Sequence, residues 1–517
     1  MQDASQILQP GRTGLRPPAQ RRRRLPFLVL LAAISGVAMF VPAAVAANLD
    51  EHELGRVFFY TGLLSLIVTL FAWIATQTLR PAQRAATHLI GLLIAYLTLP
   101  ALLALPLYQA IGNTQFFNVY MEMLSSLTTT GASFFEPSRL TEPMHLWRGM
   151  VAWLGGFLVW VTAIAVLAPM NLGGFEVTSE ARLSDDGATS QIQAVRPQER
   201  MRRVAVKFAP IYLGLTVLIW IGLLLSGMLP LNAALHAMAT LSTSGILGQD
   251  GLASGFASEA VIFVFFALAM TRRTYVTAQG EGLWDRLSRD RELWLALVVI
   301  VVLSALLFLR HWLAALDLTE PRSPEEALAA IWGAVFTIAS FLTTTGFISD
   351  EWEAARAWSG LPTPGLLLMG LCMMGGGVAT TAGGVKLMRV YALYKHGKRE
   401  IEKLVHPNSV ASAGRLGRRI RREGAYIAWI FFMLFALSLA ACMTALALTG
   451  LDFESAMVLS VAALTTTGPL AEIAGTEVTR YVLLSDPAKL ILAVAMVVGR
   501  LETLVLIALL NPGFWRA

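Results

Sequence analysis

Apolar residues run in long blocks separated by short polar intervals, and ten of these blocks reach the roughly 20 residues that a helix needs to cross a hydrocarbon core. They occupy 25–47, 57–77, 88–110, 146–167, 206–228, 257–276, 293–313, 363–389, 424–449 and 490–510. The block at 257–276 is the weakest, because Arg272 and Arg273 interrupt it. Between the blocks the polar intervals alternate in sign. Basic clusters occur at Arg12, Arg16 and Arg21 to Arg24, at Arg80 and Arg84, and at Arg196, Arg200, Arg202, Arg203 and Lys207. Others stand at Arg272, Arg273, Arg286, Arg289 and Arg291, and densest of all from Lys386 to Arg422, while the interval with Asp50, Glu51 and Glu53 is acidic. Cytoplasmic loops carry the excess of Lys and Arg. Ten spans with both termini in the cytoplasm put every basic cluster on one side.

Four arginines, an apolar run and the stretch Ala44-Val45-Ala46 also resemble a signal peptide. The run is longer than a typical signal core and the loop signs work with it kept, so the segment is expected to be retained. Composition agrees with the pattern. Of 517 residues 56% are hydrophobic and 14% charged, against about 25% charged in a soluble domain. The net charge of +6 reflects topology rather than a nucleic-acid surface. Two cysteines, Cys372 and Cys442, exclude a disulfide scaffold and read as small buried thiols.

A short pattern, Leu-Ser/Thr-Thr-Ser/Thr-Gly, occurs four times: Leu127-Thr128-Thr129-Thr130-Gly131, Leu241-Ser242-Thr243-Ser244-Gly245, Leu342-Thr343-Thr344-Thr345-Gly346 and Leu464-Thr465-Thr466-Thr467-Gly468. Successive glycines lie 114, 101 and 122 residues apart, the mark of an internal fourfold duplication. Before each copy stands a segment too short or too polar-ended to cross (115–127, 232–241, 325–342 and 452–464). Such segments suit helices that enter the membrane and turn back.

The expected fold is therefore all-α and polytopic, with four helix, pore helix, filter loop and helix repeats around one pore. The boundaries read as a basic tail at 1–24, an extra helix pair at 25–84, and repeats at 85–204, 205–291, 292–422 and 423–517.

Non-helical backbone at membrane depth must be buried or line a wet cavity. Glycine admits dihedrals closed to other residues, so four such loops can present rings of carbonyl oxygens. Rings of that kind replace the hydration shell of an alkali cation, whose unaided transfer into a medium of low dielectric costs on the order of 20 kcal/mol. The filter positions are Thr129, Thr130, Gly131, Thr243, Ser244, Gly245, Thr344, Thr345, Gly346, Thr466, Thr467 and Gly468. The hydroxyls of Thr130, Ser244, Thr345 and Thr467 either brace the loops or add a coordination layer.

Five glycines in ten residues, Gly375, Gly376, Gly377, Gly383 and Gly384, each cost roughly 1 kcal/mol in a helix interior. The block at 363–389 is therefore expected to unwind at 375–384 and to line the pore on the cytoplasmic side of the filter. Arg500 is the one charge near the middle of the last block, where it is expensive. Glu502 does not share its helical face, so Arg500 points to the pore and the unwound segment. A guard beneath the filter and a brace for loop carbonyls are both open roles for it.

Glu136, Asp250, Asp350, Glu351 and Glu472 come soon after the filter glycines and sit at the outer mouth, as solvated acids or as cation concentrators. His236 reads as a packed or hydrogen-bonded core residue, and the seven histidines show no metal-ligand spacing. No phosphate-cradling motif is present, so neither ATP hydrolysis nor nucleotide binding is expected of this chain. An intramembrane enzyme using Thr130, Thr345 or Thr467 as nucleophile lacks a base near any loop.

These loops, the run Gly375-Gly376-Gly377-Val378-Ala379-Thr380-Thr381-Ala382-Gly383-Gly384-Val385-Lys386, and the ending Gly499-Arg500-Leu501-Glu502 with Asn511-Pro512-Gly513-Phe514-Trp515-Arg516 resemble the Trk/Ktr/HKT superfamily of potassium transporters. Within it the chain is most similar to the membrane subunit of bacterial Trk uptake systems. The resemblance implies potassium as the transported ion in a bacterial inner membrane, and a glycine at all four filter positions favouring potassium over sodium. It also implies an intramembrane gating loop comprising Gly375, Gly376, Gly377, Thr380, Thr381, Gly383, Gly384 and Lys386, with Arg500 restraining it. A homodimer and a cytosolic nucleotide-binding ring of the TrkA type, docking on 386–422, are the implied partners. The chain departs from the pattern at Thr465-Thr466-Thr467-Gly468-Pro469, where Asn-Val-Gly-Pro is more usual, and at Thr380-Thr381, where smaller residues are commoner. A sodium-preferring or unselective transporter of the same fold is the nearest alternative.

Overall fold

The structure, a computed structural model, describes residues 27–77, 85–168, 197–248, 255–271, 287–288, 290–314, 324–361, 363–406, 415–475 and 479–502. Helices dominate, and there is no strand among the described residues. Helices α1 (Phe27–Ala38), α2 (Phe40–Asn48) and α3 (His52–Thr76) precede the repeats. Repeat one holds α4 (Ala85–Ile111), α5 (Phe116–Leu127) and α6 (Glu142–Thr162), the last continuing through a π-helical turn to Leu167. Repeat two holds α7 (Pro197–Leu225), α8 (Pro230–Ser242) and α9 (Gly255–Met270). Repeat three holds α10 (Arg291–Ala314), α11 (Pro324–Leu342), α12 (Trp352–Ser359), α13 (Pro364–Met374) and α14 (Leu387–Val405). Repeat four holds α15 (Arg415–Ala447), α16 (Phe453–Leu464), α17 (Leu470–Ile473) and α18 (Asp486–Leu501).

The chain is an all-α polytopic membrane protein. Eight helices among the described residues are long and apolar enough to span a bilayer, or nine if α12 and α13 count as one broken span. Seven of the ten expected spans are among those eight. The other three are shorter: α9 stops at Met270, α13 stops where the glycines begin, and α18 stops at Leu501, after which Glu502 takes a positive φ of 65°. The eighth is α11, whose 19 residues pass on length and hydropathy although it ends in a filter loop as the shorter pore helices do. The basic tail, Arg80, Arg84, Asp250, Arg272, Arg273, Arg286, Arg289 and the ending at 511–516 lie outside the described residues.

The pore helices α5, α8, α11 and α16 are each clasped by the flanking helices of their own repeat. Each also meets the last helix of the preceding repeat: α6 packs on α8, α9 on α11, α13 on α16, and α18 on α5. That sequence of contacts closes a ring. The apolar cluster between the helices is continuous from repeat one to repeat four. Bulky apolar side chains on α3, including Tyr60, Leu64, Val68 and Phe71, remain exposed, as expected where lipid rather than protein is the neighbour.

Candidate functional site

Each pore helix ends in the same backbone turn. The third residue of the pattern returns its amide to the carbonyl five residues back, at 2.8 Å for Thr130 to Ser125, 3.1 Å for Ser244 to Ala239, 2.9 Å for Thr345 to Ser340 and 2.8 Å for Thr467 to Ala462. The second residue bonds three back and has a left-handed backbone, with φ of 53° at Thr129, 52° at Thr243, 57° at Thr344 and 54° at Thr466. This is the Schellman ending, which usually places glycine at the left-handed position. A β-branched residue there is disfavoured by about 1–2 kcal/mol.

The first hydroxyl of each loop bonds a carbonyl of its own helix, at 2.8 Å for Thr128, 2.7 Å for Ser242, 3.0 Å for Thr343 and 2.7 Å for Thr465. It also lies within hydrogen-bonding distance of the third hydroxyl: Thr130 at 2.9 Å, Ser244 and Thr345 at 3.0 Å, and Thr467 at 3.3 Å. Bracing of the loops by the third hydroxyls is thus present in all four copies.

The glycines fit the loops together around a common centre. A β-carbon on Gly131 would lie 1.8 Å from the Ser244 carbonyl oxygen, one on Gly245 2.3 Å from that of Thr345, one on Gly346 3.0 Å from Pro469 Cγ, and one on Gly468 2.2 Å from the Ala132 nitrogen. Loop one therefore abuts two, two abuts three, three abuts four and four abuts one.

Loop four departs from the expected equivalence. Gly131, Gly245 and Gly346 have φ of 74°, 63° and 82°, whereas Gly468 is not among the positive-φ residues. Its glycine is required for space. The Gly468 amide donates to the Thr130 carbonyl at 2.6 Å, and its own carbonyl accepts from the Ala471 amide and, at 3.0 Å, from the Tyr481 hydroxyl. The Thr130 carbonyl is engaged by loop four and the Gly468 carbonyl within its own repeat, so neither is free at that level. The reason is the immediate entry into α17 through Pro469, whose ring lies within 4 Å of where a β-carbon would stand on each of the other three filter glycines.

Beneath the loops runs the segment 375–386, between α13 and α14. Its ends are clasped, Val385 and Lys386 donating to the Met373 and Met374 carbonyls at 2.9 and 3.0 Å. Gly375 and Gly384 pass against each other with φ of 70° and 75°, and Gly376 and Gly377 lie against the end of α9, where the Gly377 amide bonds the Ala269 carbonyl at 2.9 Å. Thr380 Oγ1 caps the Gly377 carbonyl at 2.8 Å, Lys386 Nζ donates to the Ala382 carbonyl, and Glu292 on α10 accepts the Val378 amide at 3.1 Å.

The tip touches the filter. Thr381 Oγ1 donates to the Leu241 carbonyl of loop two at 3.2 Å, the Gly383 amide donates to Thr344 Oγ1 of loop three at 2.7 Å, and the Gly383 backbone presses on the Thr465 carbonyl of loop four.

Arg500 reaches this junction from α18. Its Nε donates to the Thr128 carbonyl at 2.7 Å, Nη1 to the Thr381 carbonyl at 2.6 Å, and Nη2 to Thr129 Oγ1 and, at 3.3 Å, Thr466 Oγ1. Glu502 turns elsewhere and pairs at 2.8 Å with Arg389, whose guanidinium lies over the Phe431 ring.

The outer acids behave as surface groups. Glu136 pairs with exposed Arg480 at 3.1 Å, Asp350 accepts the Gly255 amide at 3.2 Å, and Glu351 and Glu472 are exposed. His236 is buried, with Nδ1 2.6 Å from the Asn232 carbonyl.

Two buried carboxylates were not singled out by pattern. Glu122, within pore helix α5, holds the Phe134 amide at 2.6 Å and Arg148 at 2.5 Å; Arg148 also reaches Ser133 Oγ at 3.0 Å. Glu259 on α9 holds Ser349 Oγ at 2.7 Å, the Asp350 amide at 2.8 Å and Trp332 Nε1 at 2.6 Å. Each fastens the chain three or four residues beyond a filter glycine. The readable signal was an acid inside a short apolar helix.

Comparison with known proteins agrees with this architecture. The family model TrkH, described as a cation transport protein, matches residues 291–512. The potassium uptake protein TrkI of Halomonas elongata is 28% identical over 506 residues, covering 96% of this chain and 98% of that one. TrkH of Escherichia coli strain K12 is 29% identical, over 94% of this chain and 98% of the relative. The crystal structure of the potassium transporter TrkH from Vibrio parahaemolyticus superposes with a TM-score of 0.77 at 26% identity, covering 96% of this chain and all of that one. The fold and these relatives define a polytopic membrane transporter, not an enzyme. Specifically, over nearly its whole length the chain is similar to the Trk potassium transporters.

Proposed function

We propose that this chain takes up potassium across the cytoplasmic membrane through a filter made by residues 129–131, 243–245, 344–346 and 466–468. The observation that carries the reading is the closed ring of four Schellman-terminated loops, each glycine abutting the next loop, with one segment under all of them. Potassium is the cargo, coordinated by backbone oxygens and the third hydroxyls while it crosses. Rings of oxygen stand in for its water.

The segment 375–386 is the gate and Arg500 its restraint. In this conformation the segment touches loops two, three and four directly and loop one through Arg500, which is a seal. The basic stretch 386–422 faces the cytoplasm, where a TrkA-type nucleotide-binding ring docks, and the transporter works as a homodimer. The extra pair 25–84 and the repeats at 85–204, 205–291, 292–422 and 423–517 are its units, with both termini inside.

Purified protein in liposomes is expected to pass rubidium or potassium far better than sodium. Gly131→Ser is expected to erode that preference, since its β-carbon collides with the Ser244 carbonyl. Equal sodium uptake by the unaltered protein would remove the selectivity claim, and no cation uptake with or without the cytosolic partner would remove the pore itself.

A further inference from the structure

Threonine occupies the left-handed position of all four filter turns, where glycine would satisfy the same backbone without steric conflict. A β-branched residue repeated there four times points to a use for its hydroxyl. Three of the four hydroxyls meet the sealing apparatus. Thr344 Oγ1 accepts the Gly383 amide at 2.7 Å. Thr129 Oγ1 and Thr466 Oγ1 both accept from Arg500 Nη2, and Thr466 Oγ1 also lies against the Gly383 backbone. Thr243 is different: its hydroxyl donates to the Ser242 carbonyl at 2.8 Å, inside its own loop.

We propose that Thr129, Thr344 and Thr466 are positioning residues that make the geometry of the filter depend on the gate, an inference that rests on the pore reading above. While 381–383 sits beneath the filter, the Gly383 amide and Arg500 hold these hydroxyls, and through them the unfavourable left-handed turns. Each turn in turn sets where the third hydroxyl and the glycine sit. Departure of the segment takes away the Gly383 amide and the Thr381 carbonyl that anchors Arg500, so the turns keep their own backbone bonds and lose the part of their support that comes from outside the loop. Coupling of this kind is reciprocal. Ions that order the filter therefore also bias the gate.

The test compares Thr344→Val, Thr344→Ser and Thr243→Val with the unaltered protein in liposomes, reading rubidium uptake and its inhibition by sodium. Valine keeps the branched shape and removes the acceptor, leaving a buried Gly383 amide unsatisfied in the sealed state. Thr344→Val is expected to raise rubidium uptake by roughly three- to tenfold and at the same time to weaken discrimination against sodium. Thr344→Ser is expected to restore both. Thr243→Val is expected to weaken discrimination and lower uptake, because its hydroxyl serves only its own loop. Thr466→Val, which removes an Arg500 contact instead, is an independent route to the paired change seen with Thr344→Val. The proposal is overturned if Thr344→Val and Thr466→Val move only one of the two readouts, or if Thr243→Val raises uptake equally. Absence of uptake in the unaltered protein would instead strike the pore reading on which it rests.

Discussion

Arg148 lies near the start of α6 and is 3% exposed, which would be untenable without Glu122. The carboxylate divides its oxygens between that guanidinium and the Phe134 amide, so the chain leaving filter loop one is tied to the helix entering it. Arg148→Met would strand a buried carboxylate, and removal of one partner from such a pair costs about 3–5 kcal/mol. The expected result is a marked fall in the thermal unfolding midpoint of detergent-solubilised protein, with much of it recovered by adding Glu122→Gln. An unchanged midpoint in the single variant would show the pair to be dispensable. Nothing in the sequence joins residues 26 positions apart; Arg148 alone looks like a charge near the end of an apolar block, and Glu122 like an acid inside a short apolar helix. The filter glycines were legible, but for a reason that holds at three of them. Gly468 is small because of a neighbour, and contacts of that kind arise only from the closed ring. The left-handed threonines left no sequence signal, since Thr is among the residues least expected there.

At the scale of elements, long periodicity-free apolar runs were the most legible feature, because a bilayer sets their length directly. Spans cut short by a neighbouring segment were not. The helix after the filter in repeats two and three ends where it meets the glycine segment, the Ala269 carbonyl accepting the Gly377 amide and Met374 giving way to Gly375, so a packed contact rather than the bilayer sets its length. Pore helix α16 shows how local chemistry can still decide an end. Asp452 caps it, accepting the Ser455 amide at 3.0 Å, and that bond holds its carboxyl below the ordinary aspartate range. A depressed acid contributes stability above its unfolded value and loses the contribution as pH falls through the folded one. Asp452→Ala is expected to destabilise the protein by about 1 kcal/mol at neutral pH, and Asp452→Asn by much less. The difference in stability between the unaltered protein and Asp452→Asn should change only below about pH 4, where aspartate protonates. Unfolding midpoints measured across pH would show no such change if the exposed cap contributes nothing.

For the whole molecule, the ring of contacts that returns from α18 to α5 brings Arg500 to loop one, about 370 residues earlier in the chain. One guanidinium thereby joins the first filter loop, the fourth, and the segment beneath them. The restraint proposed for it and the energetics of uptake can be separated in a single measurement. A monovalent cation entering a negative interior gains about 2.3 kcal/mol per 100 mV, which at about 1.4 kcal/mol per decade is an accumulation of roughly 40- to 50-fold. That ceiling depends on charge and voltage alone. A restraint on the gate changes how fast the ceiling is approached and leaves its height untouched. Liposomes held at an interior potential of about −100 mV are therefore expected to fill with rubidium to that plateau, with Arg500→Ala filling faster to the same plateau. Slower filling by Arg500→Ala would mean that the arginine chiefly braces the Thr128 carbonyl and its loop. A plateau well above the electrical ceiling would require a second driving ion bound and released with each potassium, and the pore would then be a coupled carrier rather than a gated conduit.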